Sequence, residues 1–141
     1  MELTPYLFFD GRCEEAIEFY KKALGAKVTM MMRNKESPVP PPPEHARPGT
    51  ENKIMHSHVT IDDVSFMASD GFCGGKPEFK GISLSLTVKD GKQVDKTIKA
   101  LADKGKVDVP ANKTFWAERF GMVTDRFGVQ WMITTPPQAN Q

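Results

Sequence analysis

The stretch Asp10-Gly11-Arg12-Cys13-Glu14-Glu15-Ala16-Ile17-Glu18-Phe19-Tyr20-Lys21-Lys22-Ala23-Leu24-Gly25 decides the reading of the chain. Its apolar side chains fall at Cys13, Ala16, Ile17, Tyr20 and Leu24, a spacing of about 3.6, while Glu14, Glu15, Glu18, Lys21 and Lys22 take the other face. The segment is therefore an amphipathic helix. Acids come early and lysines late, complementing the helix dipole; Glu18 and Lys22 are spaced to pair at i,i+4, and Gly25 is placed as the C-terminal stop. Upstream, Leu3 to Phe9 is apolar and aromatic enough for a strand, and Asp10-Gly11 ends it with turn chemistry suited to a left-handed residue. Ala26 to Arg33 reads as a second strand.

The same punctuation returns eighty positions later, where Asp90-Gly91 stands for Asp10-Gly11 and Gly105 for Gly25. It brackets a helix over Lys92 to Lys104, with Val94, Ile98 and Leu101 inward, after a strand from Ile82 to Val88. Between the two units, Ile54 to Ile61 and Val64 to Ser69 are strands joined at a hairpin by Asp62-Asp63. Beyond the second helix come Val107-Asp108-Val109, a strand from about Thr114 to Thr124, a turn at Asp125 to Gly128, and a last strand from Val129 to Thr134. The order is βαβββ twice. This predicts an α+β single domain over 1–141, with one module at about 1–72 and a second at about 80–136. Residues 36–52 hold Pro38, Pro40, Pro41, Pro42, Pro43 and Pro48, which exclude helix and central strand, so this is a surface loop or, alternatively, a lid or partner arm.

At 141 residues the chain suffices for one core, and 39% hydrophobic against 26% charged side chains can bury it. With 19 basic and 18 acidic residues the net charge is +1, so no nucleic-acid partner is expected. Neither a basic n-region with an apolar run nor an apolar stretch near about 20 residues is present, so a cytoplasmic protein without a membrane partner is expected. Cys13 and Cys73 lack zinc-ligand spacing and read as free thiols, Cys13 as an inward packing residue. Eight methionines, Met30, Met31 and Met32 among them, suit an adaptable core or dimer face better than a methionine-rich metal site.

Glu15-Ala16-Ile17-Glu18-Phe19-Tyr20 followed by Ala23-Leu24-Gly25-Ala26, in a duplicated βαβββ order, resembles the vicinal oxygen chelate superfamily of glyoxalase I, bleomycin-resistance proteins and extradiol dioxygenases. Phe9-Asp10-Gly11, Met67-Ala68-Ser69-Asp70, Lys113-Thr114-Phe115-Trp116-Ala117, Phe120 to Asp125 and Phe127 to Ile133 resemble its PhnB-like subfamily, over about residues 3 to 135. The resemblance implies the glyoxalase/bleomycin resistance/dihydroxybiphenyl dioxygenase-like fold: a curved mixed sheet from each module, cupping a small-molecule pocket, often completed across a homodimer. The subfamily is often labelled 3-demethylubiquinone-9 3-methyltransferase-like. No feature here supports that activity: the chain has no glycine-rich strand-helix turn followed by an acidic strand end, as S-adenosylmethionine would usually require.

Catalytic members of the superfamily place a His or Glu ligand on each of four strands. The resemblance puts those positions at Pro5, Met67, Ser83 and Met132, none of which ligates a hard divalent ion, so no metal cofactor is expected and all four should point into the cup. The alternative is a divalent metal at His56 and His58, two apart on one strand, with Asp70 or Glu118 supplying an oxygen. Alternation puts Ile54, His56, His58 and Thr60 on one face of that strand, the expected pocket wall, and Met55, Ser57, Val59 and Ile61 on the other. His56 is the candidate for acid-base catalysis, since it titrates near neutral pH.

Phe115, Trp116, Phe120, Phe127 and Trp131 crowd one region and read mainly as core, with Trp116 the one best suited to line a ligand slot. Lys113, Thr114, Glu118 and Arg119 flank it as polar contacts or surface ion pairs. The leading expectation is a homodimer holding a small organic ligand against Pro5, His56, His58, Met67, Ser83, Trp116 and Met132. The competing ones are an enzyme using His56 or a metal at His56 and His58, and a dimer whose pocket is vestigial.

Overall fold

The computed structural model describes residues 1–39, 48–71, 73 and 76–138. The chain divides into two compact units, Met1–Pro77 and Glu78–Gln141. In the first, β1 (Tyr6–Phe8), α1 (Cys13–Leu24), β2 (Lys27–Arg33), β3 (Ile54–Ile61) and β4 (Val64–Ser69) give a sheet of order β1-β4-β3-β2. In the second, β5 (Leu84–Thr87), α2 (Gly91–Leu101), β6 (Lys106–Asn112), β7 (Phe120–Thr124) and β8 (Gln130–Thr134) give the order β5-β8-β7-β6. β1 runs parallel to β4 and β5 to β8, and the other pairs are antiparallel. The βαβββ order thus occurs twice, in an α+β fold.

The opening stretch folds as its pattern dictates. Cys13, Ala16, Ile17, Phe19 and Tyr20 are buried, and Gly25 takes the left-handed conformation, φ 67°, that ends α1. Tyr20 packs on Phe9 at 6.1 Å between ring centroids and edge-on against Phe66 at 5.9 Å. Leu7, Val59 and Ala68 are buried with them, so one face of the first sheet closes the core. On the outer face Glu18 pairs with Lys21 at 2.9 Å, one residue nearer than the Lys22 pairing expected. Asp10 and Asp62 have φ of 54° and 52°, the left-handed turns that their Asp-Gly and Asp-Asp pairs announce.

The second unit departs from its pattern in two places. Helix α2 ends at Leu101, short of Lys104, and Lys104 rather than Gly105 takes the left-handed turn, φ 59°. Gly105 is required for room instead, because a Cβ there would lie 2.4 Å from the Thr124 carbonyl oxygen. The strand expected from Thr114 begins only at Phe120. The Thr114 hydroxyl accepts from the Ala117 N–H at 3.0 Å, closing 114–117 into a turn, while the preceding strand β6 extends over Lys106–Asn112.

The proline-rich stretch is anchored at its base, where Asn34 N–H donates to the Lys53 carbonyl at 2.9 Å and Lys35 N–H to the Glu51 carbonyl at 3.0 Å. Residues 40–47, on which most of the expectation about this loop falls, lie outside the described residues. Among the described residues no helix is long and apolar enough to cross a membrane.

Candidate functional site

Each sheet turns one face to its helix and leaves the other open. On β3, Ser57, Val59 and Ile61 are buried on the helix side, and His56, His58 and Thr60 take the open face. Ile54 departs from this alternation. The register passes from Met32↔His56 to Arg33↔Ile54, so Met55 is an extra residue, and this bulge turns Ile54 into the core while Met55 is exposed.

Strand pairing sets Tyr6, Met67, His58 and Met30 in one row across the open face of the first sheet. Met32 lies beside His56, and Phe8 beside Ser69. The Tyr6 hydroxyl is 2.9 Å from His56 Nδ1, and the two rings stack at 5.5 Å. His58 meets His56 edge-on at 5.1 Å, and Phe8 continues the cluster at 4.8 Å from Tyr6. Burial, and after it the neighbouring His58, hold the His56 imidazole below its ordinary pKa. The ring is thus neutral at neutral pH. In the Nε2–H tautomer Tyr6 donates to Nδ1; in the other, Nδ1–H donates to Tyr6 and the Nε2 lone pair is available.

Pro5 stands before β1 and is exposed, and the register brings Tyr6, not Pro5, alongside Met67. Sequence reasoning passed over Tyr6. The signal was there in its sequence neighbour: Leu7 belongs to the buried set, so Tyr6 must face the other way.

In the second sheet the corresponding row runs Ser85, Met132, Met122, Val109. The Ser83 hydroxyl bonds Gln130 Oε1, Gln130 Nε2 donates to Asp108 at 3.2 Å, and the Thr124 hydroxyl donates to the same carboxylate at 2.5 Å. The Thr124 hydrogen bond, helped by Gln130 and Lys106, holds Asp108 below the usual carboxylate range against its partial burial. Trp116 lies edge-on to Phe120 at 5.3 Å, with Phe115 at 4.8 Å. Phe120 has the strand parity of Met122, so Trp116 is carried to the end of this open face. The aromatic cluster of the sequence is therefore split: Phe120, Phe127 and Trp131 are buried, with Trp131 Nε1 donating to Asp125 at 2.9 Å, and Phe115 is exposed. Arg119 pairs with Asp95 at 2.7 Å.

Asp70 does not complete a metal site with the histidines. Its Oδ1 accepts from Gly11 N–H at 3.0 Å and Cys13 N–H at 2.8 Å, and its Oδ2 from Ile54 N–H at 2.6 Å, in a position 1% exposed. Among the described residues no three His, Cys, Asp or Glu side chains gather into a group that could hold a metal ion. Cys13 is buried beside this carboxylate; burial first, and then Asp70, push its thiol up to about 12, which suits packing and not nucleophilic work.

Residues 1–134 match the family described as 3-demethylubiquinone-9 3-methyltransferase. The chain belongs to that family. It is 35% identical to protein YjdN of Escherichia coli K12, over 98% of this chain and 97% of the relative. Protein PA1353 of Pseudomonas aeruginosa superposes with a TM-score of 0.82 at 36% identity, covering 96% of this chain and 98% of that one. The putative 3-demethylubiquinone-9 3-methyltransferase, PhnB protein, of Bacillus cereus does so at 0.76 and 26%, covering 96% and 99%. Domains of the glyoxylase/bleomycin resistance protein/dioxygenase type share the fold alone, with TM-scores of 0.68 and 0.60 at 13% identity.

The PhnB-like fold is therefore present, and the superfamily's divalent ion does not fit the donor set. The four positions that the likeness assigns to ligands hold an imino acid, two thioethers and a hydroxyl, and the Ser83 hydroxyl is already bonded to Gln130.

Proposed function

We propose that this PhnB-like protein is a cytoplasmic homodimer that binds a small organic molecule on the open face of its first sheet, without a hard divalent metal. The observation that carries the reading is the Tyr6–His56 hydrogen bond, a single fixed polar pair set among Phe8, Met32 and Met67. Such a surface suits a flat or aliphatic ligand bound by dispersion and anchored by one or two hydrogen bonds. The open face of the second sheet, with Met132, Met122, Phe120 and Trp116 beside the Ser83 to Asp108 chain, has the same apolar-with-polar-edge character.

Native mass spectrometry of protein purified without added ions tests the reading. It should retain an organic molecule of a few hundred daltons, and His56→Ala should lose it while the melting temperature stays near wild type. A bare polypeptide mass that also fails to bind the apolar probe 8-anilinonaphthalene-1-sulfonate would sink the idea. Light scattering that gives the monomer mass at micromolar concentration would remove the dimer.

The same pair favours a second reading, an enzyme in which neutral His56 takes a proton from the bound molecule and Tyr6 fixes the ring. Tyr6→Phe separates the two: it should spare binding and slow turnover if the pair is catalytic.

A further inference from the structure

The methionines of the first sheet carry a chemistry that the organic-ligand reading does not use. We propose that its open face also takes a soft monovalent cation, Cu(I) or Ag(I), held by His58 with Met67 and Met30, and with His56 and Met32 as further donors. The proposal goes beyond the organic ligand but shares its face.

Strand register makes the case. His58 is paired directly with Met67 on one side and with Met30 on the other, so an imidazole stands between two thioethers in one row. Directly paired residues on one sheet face have Cβ atoms about 4.5–5.5 Å apart, within reach of a flexible methionine closing on a shared ion. One row on, Met32 is paired with His56, whose ring lies 5.1 Å from that of His58. Met30, Met31 and Met32 are consecutive, yet only Met30 and Met32 share this face, since Met31 is paired with buried Ser57. Tyr6 fixes His56 through Nδ1, the usual way an outer group orients a ligating imidazole and frees Nε2.

The donor set also selects the ion. Thioethers are soft ligands that favour Cu(I), whereas Mg²⁺ and Ca²⁺ need carboxylate oxygens, and the one buried carboxylate at the end of β4, Asp70, is held by three backbone amides. Imidazole and thioether ligands bring no negative charge to an ion they bind, which matches a single positive charge better than a double one.

The test uses the full chain carrying Cys73→Ser, which removes the part-exposed thiol as a rival copper ligand. Under anaerobic conditions this protein should keep one Cu(I) per chain against bathocuproine disulfonate. X-ray absorption should show nitrogen together with at least two sulfur scatterers. Retention should fall tenfold or more in His58→Ala, in Met67→Leu and in Met30→Leu, the last two being volume-conserving and expected to keep the melting temperature. Loss of copper to the chelator at the first step would overturn the site. So would retention untouched by all three substitutions, or a shell without sulfur. The organic-ligand reading is judged separately, by the molecule carried in metal-free protein.

Discussion

Met67 and Met132 occupy the same place in the two units: each lies on the strand next to the parallel edge strand, and each is flanked by one partner from either side. What flanks them differs. Met67 stands between Tyr6 and His58, whereas Met132 stands between Ser85 and Met122. One βαβββ plan therefore carries two surfaces: both hold thioethers, but the first sets them among histidine and tyrosine rings and the second beside serine and a further methionine. Duplication preserves what the backbone needs and leaves the open face to diverge, because open-face side chains are not packed against the helix. This is why function is sought in the first unit's open face and not in the shared frame.

The helix starts show the same contrast in the frame itself. Helix α2 is capped locally, by the Asp90 carboxylate accepting from Gln93 N–H at 2.9 Å. Helix α1 has no side-chain cap from Arg12; the remote Asp70 reaches its Cys13 N–H and ties Gly11 and Ile54 to the same carboxylate. Asp70→Ala should be the more damaging change by far. It strands the buried Cys13 and Ile54 amides and should cost about 3–5 kcal/mol in denaturant unfolding. A loss under 1 kcal/mol would mean that water replaces the carboxylate and that the junction is not a keystone.

Gly105→Ala comes next. The added Cβ would meet a backbone carbonyl at 2.4 Å, with Asp125 backbone atoms at 3.1 Å, so neither neighbour can swing aside as a side chain would. A cost of about 1–3 kcal/mol is expected. The contrasting change, Gly25→Ala, has nothing within 4 Å and pays only for its left-handed φ of 67°. Gly105 is not among the left-handed glycines, so equal melting temperatures for the two variants would show that the Thr124 carbonyl gives way and that Gly105 is not needed for room. Asp90→Ala should cost about 1 kcal/mol, the ordinary value of an exposed N-cap, and its helix should fray rather than the unit unfold.

How much of this was legible follows from range. Helix α1, its glycine stop and the turns at Asp10 and Asp62 are set by residues within a few positions, and local pattern placed them. Asp70 acts across 57 positions to Cys13, and no spacing rule reaches that far. The bulge at Met55 arises from the pairing of β3 with β2, so strict alternation from Ile54 predicts the wrong side for Ile54 and Met55 and the right one from His56 on. Gly105 reads as a stop by analogy with Gly25, although its reason is the Thr124 carbonyl of another strand. On the open face of the first sheet, strand parity put His56 and His58 on one side and the superfamily likeness pointed to Met67, while Tyr6 was hidden because the same likeness pointed one residue earlier, to Pro5.

The smallest expected effect separates the two open faces by pH. His56 lies below its ordinary value in the folded chain, so the unfolded chain binds its proton more readily. The sign follows directly. His56 contributes stability that is present above the ordinary histidine value of about 6.5 and is lost as pH falls below it. The second face has no histidine; its Asp108 is likewise lowered, but its contribution is lost only in the more acidic range below an ordinary carboxylate's value. Unfolding curves between about pH 7.5 and pH 5 should therefore show a modest fall in stability that His56→Gln flattens. Asp108→Asn should leave that segment alone and flatten the acid limb instead. Because the His58 imidazole contributes to the depression, His58→Gln should shrink the His56 effect without abolishing it, burial being the larger cause. A slope between pH 7.5 and pH 5 that survives His56→Gln would place the titrating group elsewhere and leave the Tyr6–His56 pair without its predicted electrostatic signature.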